Sequence, residues 1–226
     1  MDEFRKHAID PNRTVTEEQI GSREGDFLGL REGAVRRVWR TNGLIHRDDD
    51  LPAVEVIEPG SDKVVYKEWW AQGLVHRDGD KPAAIREWDD GTTAQFWYKF
   101  GLRHRDGDKP AIVDLGSDGK PAKEFYFQFG RLHRDVGPAK FLKDEGNLIY
   151  ETWSQFGREH RTDGPSNTHI PFGDCHDTAE RSYRVNGVDL DDAMAGRFPI
   201  QRHQLPNAVS DPLGSAPPGD KFTPEV

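Results

Sequence analysis

The sequence predicts an all-β protein: serial antiparallel β-hairpin repeats of about 29 residues, laid side by side in an elongated single-layer sheet with a short C-terminal capping helix. Three registered observations predict it. A Gly-x-x-His-Arg string recurs at near-constant spacing, an aromatic residue stands four places before each of its glycines, and a Pro-Ala or Pro-Ser pair follows eight or nine places after. Self-similarity of this kind at a period between 20 and 50 residues is the signature of a repeat array.

The copies are Gly43-Leu-Ile-His-Arg-Asp, Gly73-Leu-Val-His-Arg-Asp, Gly101-Leu-Arg-His-Arg-Asp, Gly130-Arg-Leu-His-Arg-Asp and Gly157-Arg-Glu-His-Arg-Thr. A sixth, Gly187-Val-Asp-Leu-Asp-Asp, keeps the glycine and loses the His-Arg. Successive glycines are 30, 28, 29, 27 and 30 residues apart. The aromatic position holds Trp39, Trp69, Trp97, Tyr126, Trp153 and Tyr183, and the proline position Pro52, Pro82, Pro110, Pro138 and Pro165.

In chain order, residues 1–35 read as an N-terminal cap. Thr14 to Ile20 is expected to form a helical turn, and Phe27 to Val35 a hairpin around Glu32-Gly33. Residues 36–190 are the array, five repeats and a degenerate sixth. Each unit reads as two strands. One is aromatic-rich and ends at the glycine, as in Glu124-Phe-Tyr-Phe-Gln-Phe-Gly; the other follows the proline, as in Ala53-Val-Glu-Val-Ile. Proline at the start of a strand removes no donor from the interior of the ladder. The His-Arg-Asp loop joins the strands on one side, and turns such as Pro59-Gly60, Asp90-Gly91 and Asp118-Gly119 join them on the other. At about 4.8 Å between strands, each repeat adds roughly 10 Å. Residues 191–226 are assigned to the capping helix, which opens Leu190-Asp-Asp-Ala-Met-Ala-Gly, and to a Pro-rich tail from Pro199 onward.

Composition agrees with a thin, ordered ribbon. Apolar residues make up 34% of the 226 residues, against an average of about 45–50%, which argues against a thick two-layer core. Aromatics reach 10% and recur in register, which argues against disorder. Forty acidic against 31 basic residues give a formal net charge of -9. Nucleic-acid binding draws on excess Lys and Arg, so neither nucleic acid nor an anionic membrane is an expected partner. The lone Cys175 cannot close an intrachain disulfide, which suits a reducing compartment. Met1 to Asp10 contains no apolar run of the signal-peptide kind, and no stretch of 18 apolar residues occurs. The expectation is a soluble cytoplasmic protein without membrane insertion.

The string Trp-x-x-x-Gly-x-x-His-Arg-x-Asp-Gly-x-x-Pro-Ala resembles a variant of the MORN repeat, of the kind found in large DNA viruses and bacteriophages. The resemblance covers about residues 36 to 190. It implies β-hairpins stacked into a long single-layer sheet that serves as a scaffold or protein-binding surface, located in the host cytoplasm if the protein is viral. It brings no catalytic residue and no cofactor. The sequence departs from the ordinary MORN pattern in its longer unit, in lacking the first glycine of the approach, and in Arg after the histidine.

Enzymatic readings fare poorly. His-Arg-Asp echoes the protein-kinase catalytic loop, but the metal-holding Asn five places after the Asp is replaced by Ala53, Ala83, Ala111 and Lys140. Five near-equal loops also offer no single asymmetric site. His169, Asp174, Cys175, His176 and Asp177 match no usual zinc spacing and read as a long loop.

Two sets of residues are candidates for binding. The aromatic register is expected to be a buried spine. Trp70, Tyr98 and Phe127 follow it by one place, so strand alternation should turn them to the opposite face as an apolar interaction patch for a host or viral protein or for another copy of the chain. The second set is a ladder along one edge, Arg47, Arg77, Arg105, Arg134 and Arg161 with His46, His76, His104, His133 and His160. It reads chiefly as loop structure, each arginine fork reaching an Asp of its own or a neighbouring loop. Its functional alternative is capture of a small nucleotide-like anion.

The spine reading has a direct check. Trp97→Ala should destabilise the array by about 3–5 kcal/mol if the ring is buried, read from denaturant unfolding. An unchanged midpoint would remove the spine.

Overall fold

A computed structural model describes residues 12–20, 33–144, 147–170 and 179–190. These residues form an all-β array with no helix among them. Its backbone is one antiparallel sheet of 13 strands, running from Arg13–Gln19 to Glu180–Ser182 with sequential neighbours paired throughout. Each repeat contributes two adjacent strands. In the second repeat's neighbourhood these are Val54–Ile57 with Val64–Glu68, then Ala84–Glu87 with Thr93–Phe96. The predicted turns close them: Glu58 N–H donates to Lys63 C=O and Trp88 N–H to Thr92 C=O, with Gly60 and Gly91 at positive φ.

Each predicted aromatic strand is in fact two pieces. The sheet strand stops one residue before the aromatic, which falls outside any strand in five repeats (Trp69, Trp97, Tyr126, Trp153, Tyr183). The chain then makes a separate two-residue hairpin at the glycine, for example Trp70–Ala71 against Leu74–Val75 and Tyr98–Lys99 against Leu102–Arg103. In the first repeat the strand Val35–Thr41 instead runs unbroken through Trp39 and pairs with Leu44–Ile45. The array is therefore a long sheet flanked by a row of short tip hairpins.

The break has a hydrogen-bonding cause. The Trp69 N–H donates across to Ala83 C=O, while its C=O accepts from His76 N–H at the foot of the tip; Trp97 does the same with Ala111 and His104. The aromatic residue thus joins the two ladders. The Pro-Ala landmark is the other half of the joint. Ala53, Ala83, Ala111, Ala139 and Ser166 are fully buried. Each accepts from its own repeat's aromatic N–H and donates to the next strand, as Ala111 N–H does to Phe125 C=O.

The tips are type I′ turns. Both central residues have positive φ in every repeat, from Asn42-Gly43 (51° and 79°) to Asn186-Gly187 (53° and 79°). This turn matches the strand twist and favours Asn-Gly. Each tip docks on its predecessor through one backbone bond, such as Gly101 N–H to Val75 C=O and Gly130 N–H to Arg103 C=O.

The expected helical turn over Thr14 to Ile20 is a strand. Arg13–Gln19 pairs residue for residue with Val35–Thr41, from Arg13 opposite Thr41 to Gln19 opposite Val35. Alternating Thr14, Val15 and Thr16 favour extended backbone, and Glu17 and Glu18 meet Arg37 and Arg36 across the ladder. The sheet therefore extends into the segment assigned to the cap. The rest of the Phe27–Val35 hairpin, the capping helix and the Pro-rich tail lie outside the described residues. Ile20 packs with Ala34, Val56 and Val65 as a small core at this end. No helix of the described residues is long and apolar enough to cross a membrane.

Candidate interaction site on the repeat loops

The His-Arg-Asp loop puts each of its residues in a different relation to the neighbouring repeats. The arginine sits over its own repeat's aromatic ring. The guanidinium carbon is 3.9 Å from the ring centre for Arg47 over Trp39, 3.7 Å for Arg77 over Trp69, 3.8 Å for Arg105 over Trp97 and for Arg134 over Tyr126, and 3.9 Å for Arg161 over Trp153. Its Nη1 donates to the carbonyl of the proline that ends the loop, as from Arg77 to Pro82 at 3.2 Å. Its remaining edge reaches back to the preceding repeat in a two-pronged bond: Arg77 to Asp50 (2.7 and 3.0 Å), Arg105 to Asp80 (2.6 and 3.3 Å) and Arg134 to Asp108 (2.8 and 2.9 Å). Lys81 and Lys109 add a second cation on Asp50 and Asp80, each at 2.7 Å.

The aspartate that receives the arginine is not the one in the His-Arg-Asp string. That Asp takes the histidine instead. His76 Nε2 lies 3.1 Å from Asp78 and His104 Nε2 2.9 Å from Asp106. The other ring nitrogen, Nδ1, accepts a backbone N–H from the next tip: Phe100 to His76 (3.5 Å), Phe129 to His104 (3.4 Å), Phe156 to His133 (3.2 Å) and Asn186 to His160 (3.2 Å). With Nδ1 accepting, the proton of the neutral ring sits on Nε2, and in His76, His104 and His133 it points at a carboxylate. Burial holds the His160 pKa below its ordinary value. His46 is the exception: its Nδ1 is buried without a hydrogen-bond partner, and the next tip carries Gln72 in place of Phe.

Loop length decides where this clamp is complete. The loops after Arg47, Arg77 and Arg105 carry Asp50, Asp80 and Asp108; the loop after Arg134 is one residue shorter and has Val136-Gly137 there. Arg161 consequently turns to Asp163 of its own loop, at 2.8 Å, with Glu151 at 3.6 Å. Trp69 and Trp97 donate their indole N–H to Asp50 and Asp80 carbonyls, whereas Trp153 Nε1 is buried without a partner. Gly164 lets the backbone approach the guanidinium in the shortened form, since a Cβ there would stand 2.8 Å from Arg161 Cζ.

Trp70, Tyr98 and Phe127 are half-buried and tied into polar bridges. Glu68 takes the Trp70 indole N–H at 2.9 Å and the Tyr66 hydroxyl at 2.6 Å. Burial, with Glu68 next in effect, raises the Tyr66 pKa. Arg103 Nε donates to the Tyr98 hydroxyl at 3.3 Å and its guanidinium lies 5.8 Å from the Phe127 ring. Phe127 also packs against the cluster of Trp97, Ala111 and Val113.

Among the described residues, the most exposed aromatic rings are not sequence candidates. Phe100, Phe129 and Phe156 precede the tip glycines and are 62%, 62% and 53% exposed. Their φ values are 49°, 45° and 49°, a left-handed conformation that is strained for a bulky side chain. Each stacks on the preceding repeat's histidine, with ring centres 4.4, 4.2 and 4.3 Å apart. Phe-Gly where the outer repeats have Asn42-Gly43 and Asn186-Gly187 was the available signal. His169 is exposed on the strand Asn167–His169, and residues 174–177 of its cluster lie outside the described residues. Among the described residues, no group of three or more His, Cys, Asp or Glu could hold a metal ion.

The fold and these loops define a β-hairpin repeat array clamped from unit to unit by arginine. No protein-family model matches the sequence, and no characterised protein matches it. The likeness to MORN repeats therefore rests on the repeat motif alone.

The clamp predicts a pH dependence. Hydrogen bonds from Arg105, then from Lys109, lower the Asp80 pKa to about 2. Arg77, then Lys81, lowers Asp50, and Arg134 lowers Asp108. These folded values lie below the unfolded value of about 3.9. Their contribution is thus complete above roughly pH 4 and is lost as pH falls through the folded values. The melting temperature should drop between about pH 4 and pH 2. An Asp80→Asn variant should be less stable than wild type at pH 7 and converge on it near pH 2. A gap that does not change with pH would contradict the clamp.

Proposed function

We propose that the chain is a non-enzymatic repeat scaffold whose row of tip hairpins is a protein-binding surface. One observation carries this reading: three consecutive tips hold phenylalanine, exposed and in a strained backbone conformation, where Asn serves the turn better. An exposed apolar row retained at a conformational cost points to an interface. The half-buried Trp70, Tyr98 and Phe127 extend the aromatic character behind it. The MORN-like motif suits such a scaffold, and on that resemblance the partner is a host or viral protein.

The alternative of a small anionic ligand has less support. Arg77, Arg105 and Arg134 each already meet a ring face, a proline carbonyl and a carboxylate. An anion would have to break those contacts before it could bind.

The test is a triple variant, Phe100→Asn, Phe129→Asn and Phe156→Asn, compared with wild type in affinity capture from the cells that naturally make the protein. The variant should keep its melting temperature and lose a protein that the wild type retains. Identical captured proteins from a folded variant would contradict the reading.

A further inference from the structure

We propose that His76, His104, His133 and His160 form an acid-sensitive latch: each ring, once protonated, can no longer hold the tip hairpin of the repeat that follows.

The latch is set by what each ring nitrogen faces. In all four rings Nδ1 takes a backbone N–H, from Phe100, Phe129, Phe156 and Asn186 in turn, at 3.2 to 3.5 Å. Imidazole accepts through one nitrogen only while it is neutral; once protonated, both nitrogens donate. The added proton on Nδ1 then points at the backbone N–H, donor against donor. Each tip keeps its glycine bond, such as Gly101 N–H to Val75 C=O, and loses the second. Phe100, Phe129 and Phe156 still stack on their histidines, and an imidazolium attracts a ring face. Asn186 has no ring to offer, so release is largest at the sixth tip. The second tip is an internal control, because Gln72 stands there and His46 Nδ1 is buried without a partner.

The charges facing these rings stay fixed while a histidine titrates. Asp78, Asp106 and Asp135 sit on Nε2 of His76, His104 and His133, whereas Thr162 holds that place beside His160. In the groove between the loops of His76 and His104, Lys99 bonds Asp106 at 3.1 Å. Arg77 and Lys81 in that groove are held by Asp50, and Arg105 and Lys109 by Asp80. The groove on the other side of His76 adds Asp49 and the pair of His46 with Asp48, whose titration touches no tip bond. Arg134, next to His133, is on Asp108; beside His160, Glu159 is on Arg184 and Arg161 on Asp163. His104, then Lys99, holds the Asp106 carboxyl below its ordinary range. Carboxylates titrate near pH 4 or below, so between about pH 7 and pH 5 the histidines change charge alone. The latch therefore opens in a range where the Arg–Asp clamp is intact. Acid then loosens the row of tips, and its effect on a bound partner rests on the protein-binding reading of that row.

The experiment is nuclear magnetic resonance of the full chain, titrated from about pH 8 to about pH 5, the range that spans an ordinary histidine. Ring nitrogen shifts should show the Nε2–H tautomer at the alkaline end. As each ring protonates, the amide it holds should lose about tenfold or more of its protection from hydrogen exchange. Gln72 should not respond. In His104→Asn, where Oδ1 takes the place of Nδ1 and does not titrate, the response should vanish at Phe129 and persist at Phe100 and Phe156. Rings that stay neutral throughout, or that protonate while the amides keep their protection, overturn the latch. So does a response at Phe129 that survives in His104→Asn; if that variant does not fold, the wild-type titration decides. Responding amides with identical capture by the triple Phe→Asn variant refute the protein-binding reading alone. Silent amides with a protein lost by that variant refute the latch alone.

Discussion

The second, third and fourth repeats are each held to the one before by an arginine that lies over one ring and grips the aspartate of the preceding loop. A sheet one strand-layer thick cannot enclose a large apolar core, and here the buried apolar residues are mostly small: Ala53, Ala83, Ala84, Ala94 and Ala111 beside Val38, Val54 and Val56. Stability must then come from contacts between successive repeats. Only arginine can meet that geometry. Its planar, permanently charged fork stacks on indole and matches a carboxylate at the same time, which a lysine ammonium cannot do. The ring contact is worth about 0.5–2 kcal/mol, and the half-exposed ion pair at most about 1 kcal/mol. The clamp works by repetition.

The same dependence explains the irregularities. Shortening one loop by a residue removes the aspartate that Arg161 needs, redirects that arginine to Asp163 and leaves the Trp153 indole nitrogen unpartnered. The junction between the fourth and fifth repeats therefore lacks the Arg–Asp bond between loops. Histidine forms a parallel link, joining an exposed aspartate to the backbone of the next tip and providing the platform on which phenylalanine stacks. Clamp and tip row are two consequences of one loop. The loop fixes the spacing and the orientation of the rings that the tips present.

Repeat length, antiparallel pairing and the positions of turns were legible because they follow from registered glycines, prolines and aromatics. The break in each aromatic strand was not. It arises because Trp97 donates to Ala111 in one ladder and accepts from His104 in another, a division no alternation pattern records. Thr14 to Ile20 misled because Glu17 and Glu18 suit a helix, while their strand role depends on Arg37 and Arg36 across the ladder. An Arg–Asp link was anticipated, but the choice of Asp80 over Asp106 as the partner of Arg105 is a matter of three-dimensional loop shape. Phe100, Phe129 and Phe156 escaped because alternation describes strands, and these residues stand in turns.

The claim that arginine couples adjacent repeats is tested most directly by a double-mutant cycle on Arg105 and Asp80, with Arg105→Ala, Asp80→Ala and the pair compared by denaturant unfolding at neutral pH. The clamp predicts a coupling above about 0.5 kcal/mol, as found for residues in direct contact. Strict additivity of the two substitutions would contradict it.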